Sequence, residues 1–335
     1  MSTNSRTLVI LGTRKDPHVD RVATEMVRRN NSTVYVLDYK SKCRFSLEVD
    51  RIGDLYLKID GDRLRDNYLV WDRRKLFPGT SFYIEGDNPS KELVAQEWSA
   101  LYTLLDGLNN GRVINSIRSK SCRIKPYQQI VAARAGFLVP STLITNSKAE
   151  LIRFYDESGK VIMKSLSGRS FGGVKEGGGS QFIMTMRLST DDINSASEAE
   201  LSYCPHFFQE EVVKKYELRI IVVDTAIFAF CINPHSHALA EVDWRKAMRF
   251  IEFSPIKLDG AIKEKIRLFM KDMDLVTGSL DIIIDTNDRA WFLECNQDGA
   301  WAWFDNILNG KITRAFVDAF CSRLDVNLKG CHTIT

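Results

Sequence analysis

Residues 277–296 read Thr277-Gly-Ser-Leu-Asp281-Ile-Ile-Ile-Asp285-Thr-Asn-Asp-Arg-Ala-Trp-Phe-Leu-Glu294-Cys-Asn296, and they predict a β-hairpin. Branched residues dominate 279–285, Thr-Asn-Asp supplies the turn, and 290–295 run back toward Gly299. In such an antiparallel pair, Asp281 lies near one end of the first strand, and Glu294 and Asn296 lie near the matching end of the second. Three oxygen-bearing side chains can therefore converge, as a site for a hard cation requires.

Two carboxylates and one amide are ligand types that suit Mg²⁺, which keeps several waters and takes its other ligands from phosphates. A single Asp/Glu pair on a hairpin is also what an ordinary solvated strand face contains. Only residues elsewhere in the chain separate these two interpretations.

The composition is that of a globular protein with more than one core. The chain has 335 residues, of which 44% are hydrophobic and 27% are charged, and this suits two or three subdomains. The formal net charge is +3, without a Lys/Arg run of the kind that follows a phosphate backbone. Nucleic acid is therefore not the expected partner.

The seven cysteines are scattered and odd in number. They lack any C-x-x-C spacing, so neither a disulfide framework nor a zinc site is indicated. The apolar run 8–11 is too short for a signal sequence, and no run approaches the ~20 apolar residues of a membrane span. We therefore expect a cytoplasmic protein with no membrane partner.

The first 115 residues have the pattern of an open α/β domain. A strand at 7–11, a helix from Asp16-Pro17 and a strand at 34–37 predict a right-handed βαβ crossover. The predicted buried face of the helix consists of Val19, Val22, Ala23, Met26 and Val27.

Further strands at 55–59 and 68–71 and an amphipathic helix at 91–108 complete this domain, which ends near residue 116. The basic residues Arg73, Arg74 and Lys75 follow the last of these strands. They can bind an anion, or they can form a solvated loop.

Lysines and glycines of the kind found in phosphate sites follow the boundary. A predicted helix at 119–135, interrupted early by Pro126, places Lys125 near a helix start, and a strand at 161–165 carries Lys164. The segment 168–179 begins with Gly168 and has five more glycines at 172, 173, 177, 178 and 179, which lets backbone N–H groups approach an anion and lets the loop close as a lid. The alternative is a flexible hairpin loop, because no Walker motif is present.

A third set of polar residues lies on predicted strands at 206–213 and 217–223. The exposed main chain of the first strand can pair with an adenine edge, while Glu217 can reach a ribose and Arg219 a phosphate or acyl group. Ordinary surface ion pairs are the alternative for both side chains. His235 and His237 are predicted to lie in a loop, because no third metal ligand is near in sequence.

In this order and spacing, over residues 120–305, these features resemble the ATP-grasp superfamily. Within it the chain resembles the microviridin-type ATP-grasp peptide ligases, or graspetide synthetases. The motifs that carry this second resemblance are His18-Val-Asp-Arg-Val22, Val70-Trp-Asp-Arg-Arg74, Lys125-Pro-Tyr-Gln128, Val139-Pro-Ser-Thr-Leu-Ile-Thr-Asn146, Phe208-Gln-Glu-Glu-Val-Val-Lys-Lys-Tyr-Glu-Leu-Arg219, Val242-Asp-Trp-Arg245-Lys and Phe292-Leu-Glu-Cys-Asn-Gln-Asp-Gly-Ala-Trp301.

The resemblance implies an α/β fold of the ATP-grasp type. It implies an N-terminal pre-ATP-grasp domain at 1–115, a central subdomain with the glycine-rich loop at 116–207, a C-terminal subdomain with the Mg²⁺ and ATP site at 208–325, and a tail at 326–335.

The resemblance also implies roles by position. For ATP it implies Lys125 and Lys164 on the phosphates, Gly172 and Gly173 in the loop, the segment Gln209, Glu210, Glu211 and Val212 along the adenine, and Glu217 on the ribose. For Mg²⁺ it implies Asp281, Glu294 and Asn296. Arg219 and Lys164 would stabilise the transferring phosphoryl group, and Asp243 and Arg245 would meet the acidic side chain of the peptide substrate.

Three positions depart from the family pattern. Gln297-Asp298 replaces the usual Pro-Asn, and Cys295 replaces an aliphatic residue. Ser279 stands where more distant ATP-grasp ligases carry a basic phosphate contact. The oxygen ligands are intact, and more of the phosphate contact is left to Arg219 and Lys164.

The implied activity is that of an ATP-dependent ligase that activates Asp or Glu side chains of a ribosomal precursor peptide, with a leader and an acidic core, as acyl phosphates. Ester or amide macrocycles would result, and a homodimer is the implied assembly. An ATP-grasp ligase for free amino acids or a protein C-terminal tail is the alternative. A nucleotide-binding scaffold without turnover is disfavoured, because both lysines and all three metal ligands are retained.

Overall fold

A computed structural model describes residues 6–29, 32–38, 44–53, 55–64, 68–73, 89–108, 113–116, 124–166, 185–233, 244 and 250–330. The chain divides into two compact units. The first comprises 1–120, 275–277 and 300–335, and the second comprises 121–274 and 278–299. Gly172, Gly173, Asp243 and Arg245 lie outside the described residues, as do His235 and His237.

The first unit contains a parallel sheet with strand order β2-β1-β6-β7. Its strands are β1 Arg6–Leu11, β2 Ser32–Leu37, β6 Tyr68–Asp72 and β7 Val113–Ile114, and a small antiparallel sheet contains β3 Phe45–Val49, β4 Leu55–Ile59 and β5 Asp62–Leu64. Helices α1 Pro17–Arg28 and α2 Pro89–Leu108 belong to the same unit. Strands β1 and β2 pair in parallel on either side of α1 in sequence, so the predicted strand, helix, strand unit is confirmed.

Helix α1 begins where the sequence predicts, because the Asp16 side chain accepts a hydrogen bond from the His18 N–H and Pro17 occupies the first turn. The buried face contains Val19, Val22, Ala23 and Met26, together with His18. Val27 is 54% exposed, so its predicted burial is wrong. At 100° per residue Val27 lies about a quarter turn from the centre of the buried stripe, which leaves it at the rim.

The C-terminal segment completes the first unit. Helix α8 Ala302–Ile307 is followed by α9 Lys311–Gly330, which packs against α1, β1 and β6. Arg6 donates from Nε and Nη2 to both carboxylate oxygens of Asp325, at 2.8 Å each. Helix α9 continues to Gly330, and both the tail at 326–335 and the finer division at 207 stay predictions.

The second unit begins with α3 Lys125–Arg134 and an antiparallel sheet of order β10-β9-β11-β8. The other elements of this part are β8 Thr142–Thr145, α4 Lys148–Ser158, β9 Val161–Lys164, β10 Met186–Arg187, α5 Thr190–Ser195, α6 Glu198–Ser202 and β11 His206–Glu210. Ile124 caps α3 in an extended conformation, so the helix does not run continuously from 119. Pro126 lacks an N–H and is accommodated in the first turn, which explains the start at Lys125.

A second antiparallel sheet, of order β14-β13-β12-β15-β16, completes this unit. Its elements are β12 Tyr216–Val223, β13 Ala226–Ile232, β14 Phe253–Ile256, α7 Gly260–Asp272, β15 Thr277–Ile284 and β16 Ala290–Asn296. The predicted hairpin at 277–296 is confirmed as β15–β16, and β12 and β13 form a second hairpin that turns at Asp224-Thr225. No helix among the described residues is long and apolar enough to cross a membrane.

Candidate active site

The β15–β16 hairpin brings the predicted metal ligands onto one face. Asp281 lies directly opposite Glu294, and Ser279 lies directly opposite Asn296. Directly opposed residues of an antiparallel pair project from the same face, and so do residues two apart on one strand. A register shift follows Asp281, and it is confined to the part of the hairpin beyond the acidic pair. The predicted convergence of the three oxygen-bearing side chains is therefore what the strand register produces.

The segment after Asn296 returns tightly onto β15. A Cβ added at Gly299 would lie 2.2 Å from Ser279 Oγ and 3.1 Å from the Asn296 carbonyl oxygen. Since real Cβ atoms do not approach other atoms so closely, only glycine fits between Ser279 and the end of β16. Asn296 Oδ1 accepts a hydrogen bond from the Asp298 N–H at 3.1 Å, which orients this amide beside the acidic pair.

Each of the two carboxylates faces a cationic side chain. Arg219 on β12 donates from Nη1 to Asp281 Oδ1 at 2.7 Å, and Lys125 Nζ lies 2.8 Å from Glu294 Oε2. The Arg219 and Asp281 side chains are only 8% and 10% exposed. Arg219 Nε is buried and has no hydrogen-bond partner in the described part of the chain. Two carboxylates and two cationic side chains thus lie together at this end of the hairpin.

Gln128 fixes helix α3 against β16, a role that its place in the sequence did not predict. Its Nε2 donates to the Cys295 carbonyl at 2.9 Å, and its Oε1 accepts from the Cys295 N–H at 2.8 Å. The side chain is buried, so these bonds are shielded from water. Because Lys125 lies one helical turn before Gln128 and Glu294 immediately precedes Cys295, this clamp aligns the Lys125–Glu294 pair. No sequence pattern signals such a contact.

Lys164 and Gln209, both predicted to contact ATP, touch each other. Lys164 Nζ donates to Gln209 Oε1 at 2.8 Å, and Gln209 Nε2 donates to Thr142 Oγ1 at 3.0 Å. Thr142 Oγ1 in turn lies 3.1 Å from Gln129 Oε1. Gln209 is 1% exposed. The structure therefore places Gln209 behind Lys164, where it orients the ammonium group.

The predicted adenine segment comprises the last two residues of β11 and the two residues that follow it. The Glu210 N–H donates to the Ser141 carbonyl, and the Glu211 N–H donates to the Lys160 carbonyl at 2.9 Å. Both donors are thus used inside the protein, whereas no backbone carbonyl of the described residues accepts from Val212 N–H. The Glu211 carboxylate is held by Arg187 through two hydrogen bonds.

Glu217 is a buried carboxylate at the start of β12. It is 3% exposed and pairs with Lys214, whose side chain is also largely buried. An ordinary surface ion pair, the alternative left open by the sequence, does not describe this burial. The Lys214–Glu217 ion pair is therefore buried within the second unit, a few residues after the adenine segment in sequence.

Cys295 lies between two predicted metal ligands without having the chemistry of one. Burial raises the pKa of its thiol, so it stays protonated at neutral pH. A Cβ added at Gly278 would lie 2.8 Å from the Cys295 sulfur, which shows that the thiol points at the neighbouring strand. The replacement of an aliphatic residue by cysteine therefore preserves a small apolar core side chain.

The oxygen ligands fit magnesium better than a soft metal. The described residues contain no group of three or more His, Cys, Asp or Glu side chains placed to hold an ion. Asp281, Glu294 and Asn296 supply two carboxylates and one amide, and such an open set leaves positions for phosphates and water. The donor chemistry thus agrees with Mg²⁺ carried by a nucleotide.

Comparison with solved structures identifies the fold. The chain is similar to a RiPP-associated ATP-grasp ligase from Chryseobacterium gregarium, solved in complex with ADP and a leader and core peptide. The TM-score is 0.82 at 24% identity, over 95% of this chain and 97% of that chain. The chain has the ATP-grasp fold. This confirms the fold class that the motifs predicted, while the roles of individual residues stay predictions.

Two other similar ATP-grasp structures extend over the same length. The macrocyclase MdnC from Microcystis aeruginosa MRC, bound with precursor peptide MdnA, has a TM-score of 0.76 at 20% identity, over 95% of this chain and 99% of that chain. The ATP-grasp ligase PsnB, complexed with a phosphomimetic precursor variant, Mg and ADP, has a TM-score of 0.72 at 23% identity, over 96% and 100%. No protein-family model and no curated protein matches the chain.

Proposed function

We propose that this protein is an ATP- and Mg²⁺-dependent ligase that joins side chains of a ribosomal precursor peptide into macrocycles. The observation that carries the proposal is the charge arrangement on the hairpin. Asp281 and Glu294 face each other across two strands, and each is paired with a cation. The full-length similarity to ATP-grasp ligases solved with ADP and precursor peptides supports the same reaction class.

Asp281, Glu294 and Asn296 would hold the magnesium ion. When bound there, the ion would neutralise charge on the nucleotide and make its terminal phosphorus more electrophilic. Asn296 is oriented by its bond to the Asp298 N–H, and the two acids are set by the strand register. This preorganisation keeps the ligands in place before the nucleotide arrives.

Lys125 and Lys164 would bind the ATP phosphates. Gln209 would assist by orienting Lys164 instead of touching the nucleotide, because its amide is buried and engaged at both ends. Val212 N–H would donate to the adenine edge, since Glu211 N–H is already bonded within the protein. Glu217, with Lys214 beside it, would accept from a ribose hydroxyl.

Phosphoryl transfer needs mainly positioning and charge stabilisation, so no protein nucleophile is required. A substrate carboxylate would attack the γ-phosphorus and displace ADP, with Arg219 stabilising charge on the transferred group. A substrate hydroxyl or amine would then attack the acyl carbon, release phosphate and close an ester or amide. Asp243 and Arg245, which lie outside the described residues, would hold the acidic side chain.

A ligase for free amino acids or a protein tail would share this nucleotide chemistry and would differ in its acceptor. We favour macrocyclisation over this alternative because the similar structures contain leader, core or precursor peptides and match over nearly their whole length. Assembly as a homodimer and residence in the cytoplasm are part of the same proposal.

Intact-mass spectrometry tests this function. Purified protein is incubated with ATP, Mg²⁺ and an acidic precursor peptide taken from a neighbouring reading frame, and in parallel with free glutamate and a protein acceptor. Loss of one water per linkage from the precursor alone supports macrocyclisation, and ester hydrolysis then separates lactones from lactams. Mass gain by the protein acceptor, with an unchanged precursor, would establish the alternative.

A further inference from the structure

We propose that Lys125 and Arg219 are resident counter-ions that occupy the two acidic metal ligands until nucleotide binds, and then transfer to its phosphates. This inference rests on the proposed function. Its consequence is a binding order, in which the divalent ion is held well only together with the nucleotide. Removing one of the two cations should therefore improve binding of the ion by itself.

The geometry supports a competition between side chain and metal. Lys125 Nζ lies 2.8 Å from one Glu294 oxygen, and Arg219 Nη1 lies 2.7 Å from one Asp281 oxygen. These are the hydrogen-bonding distances of charge-assisted pairs. An oxygen that accepts from an ammonium or guanidinium group is not fully available to an ion, so the metal has to displace or share each bond.

Burial makes this competition strong. The four side chains are between 8% and 21% exposed, so water screens them less than it screens a surface pair. Asp281 and Glu294 are directly opposed across the hairpin, and two like charges in that position repel each other. The cations stabilise the pair in the nucleotide-free protein.

Charge balance explains why the exchange requires the nucleotide. Among the described residues, Asp281 and Glu294 carry two negative charges and their partners Arg219 and Lys125 two positive charges, so a divalent ion entering alone would add two positive charges to a partly buried site. Phosphates supply the compensating negative charge. Lys125 and Arg219 can then exchange carboxylate oxygens for phosphate oxygens without becoming buried and unpaired.

Binding of Mn²⁺, followed by the electron paramagnetic resonance signal of the free ion, tests the proposal without any measure of activity. In the absence of nucleotide, Lys125→Met should bind Mn²⁺ about tenfold more tightly than the wild-type protein, because one competing charge is gone. In the presence of ADP the advantage should disappear, since the variant has lost a phosphate contact. Lys125→Arg, which keeps the competing charge, should not show the tighter nucleotide-free Mn²⁺ binding of Lys125→Met.

A matched control is available at Lys215, the residue before β12, which pairs with the turn of the same hairpin. Lys215 Nζ lies 2.7 Å from Asp288 Oδ1 in the β15–β16 turn, and both side chains are about half exposed or more. Lys215→Met removes one positive charge at a distance from the acidic pair, so it should leave nucleotide-free Mn²⁺ affinity unchanged. Equal tightening in Lys215→Met would assign the effect to net charge and overturn the proposal.

The outcomes separate this inference from the function on which it rests. Unchanged or weaker nucleotide-free Mn²⁺ binding by Lys125→Met, with normal binding of Mn²⁺ and ADP by the wild-type protein, overturns the counter-ion exchange alone. Failure of the wild-type protein to bind Mn²⁺ even with ADP contradicts the metal site itself. If Lys125→Met does not fold, as judged by circular dichroism, Lys125→Gln provides the same comparison.

Discussion

The Gln128 carboxamide forms hydrogen bonds with both backbone polar groups of Cys295, the carbonyl at 2.9 Å and the N–H at 2.8 Å. Strand β16 lies at the edge of its sheet, and the carboxamide of Gln128 completes its hydrogen bonds at this point. The contact therefore secures the strand that carries Glu294 and Asn296 to the helix that carries Lys125.

Gln128→Leu should destabilise the protein by about 2 kcal/mol, because a buried N–H and a buried carbonyl lose their partners. It should also lower the rate of ligation, since Lys125 and Glu294 lose their alignment. Urea unfolding and single-turnover rates measure the two effects. Ile130, on the same helix, is 53% exposed, so Ile130→Ala should stay within about 0.5 kcal/mol of the wild type. An equal loss of stability in Ile130→Ala would contradict the role of Gln128.

Thr142→Val should raise the KM for ATP about fivefold with little change in kcat. Gln209 loses the oxygen that receives its N–H, so its own oxygen is no longer aimed at Lys164, and one hydrogen bond is worth about 1 kcal/mol. Steady-state kinetics over a range of ATP concentrations measure the effect. Thr142→Ser restores the hydroxyl and should restore the KM; a serine variant as impaired as the valine variant would count against this chain of bonds.

Gly299→Ala should disrupt the end of β16, because its Cβ would lie 2.2 Å from Ser279 Oγ. We expect a loss of about 2 kcal/mol or more in the free energy of unfolding, together with weaker Mn²⁺ binding in the presence of ADP. Gly260→Ala is the control, since a Cβ there meets nothing within 4 Å. A Gly299→Ala protein as stable as this control would show that the segment after Asn296 does not lie on Ser279.

Asp285, in the turn of the β15–β16 hairpin, should make the folding stability of the protein depend on pH in the acid range. Burial raises the pKa of Asp285, but hydrogen bonds from the Trp291 indole, from Arg289 and from backbone N–H groups outweigh it and hold the pKa well below its usual value. Because the pKa of Asp285 is lower in the folded protein than in the unfolded chain, where it is near 3.8, the ionised carboxylate stabilises the fold above pH 3.8. This stabilisation is lost progressively as the pH falls below 3.8 toward the folded-state pKa.

Asp285→Asn should therefore lower the Tm at pH 7, and its difference from the wild type should shrink as the pH is lowered through 4 and below. Thermal melts at a series of pH values measure this. Asp288→Asn, in the same turn but exposed, should show a much smaller difference. A Tm difference for Asp285→Asn that is constant with pH would contradict the assignment.

The sequence predicted local structure better than long-range contacts. The hairpin at 277–296 follows from its branched residues and turn, and the opposition of Asp281 and Glu294 follows from pairing across that turn. Lys125 and Arg219 were predicted to contact phosphate groups. Their ion pairs with Glu294 and Asp281 were not predicted. The two cations lie far away in sequence, and only the packing of α3 and β12 brings them to the hairpin.

Other contacts had no sequence signal. The contact of Gln209 with the nucleotide stays a prediction, whereas residue type alone does not reveal that its amide is buried between Lys164 and Thr142. Helix α9 joins the first unit although it lies at the other end of the chain, because an apolar stripe shows that a helix is buried without showing against what. Arg73, predicted to be an anion ligand or part of a solvated loop, is buried against Asp16.

The most direct test of the account is the affinity for Mn²⁺ in the presence of ADP, compared between the wild-type protein and Glu294→Gln. The variant keeps the size of the side chain and removes the charge, so we expect affinity to fall about tenfold or more. Asp288→Asn, in the turn of the same hairpin, should bind as the wild type does. Unchanged affinity in Glu294→Gln would contradict a divalent ion held by this hairpin.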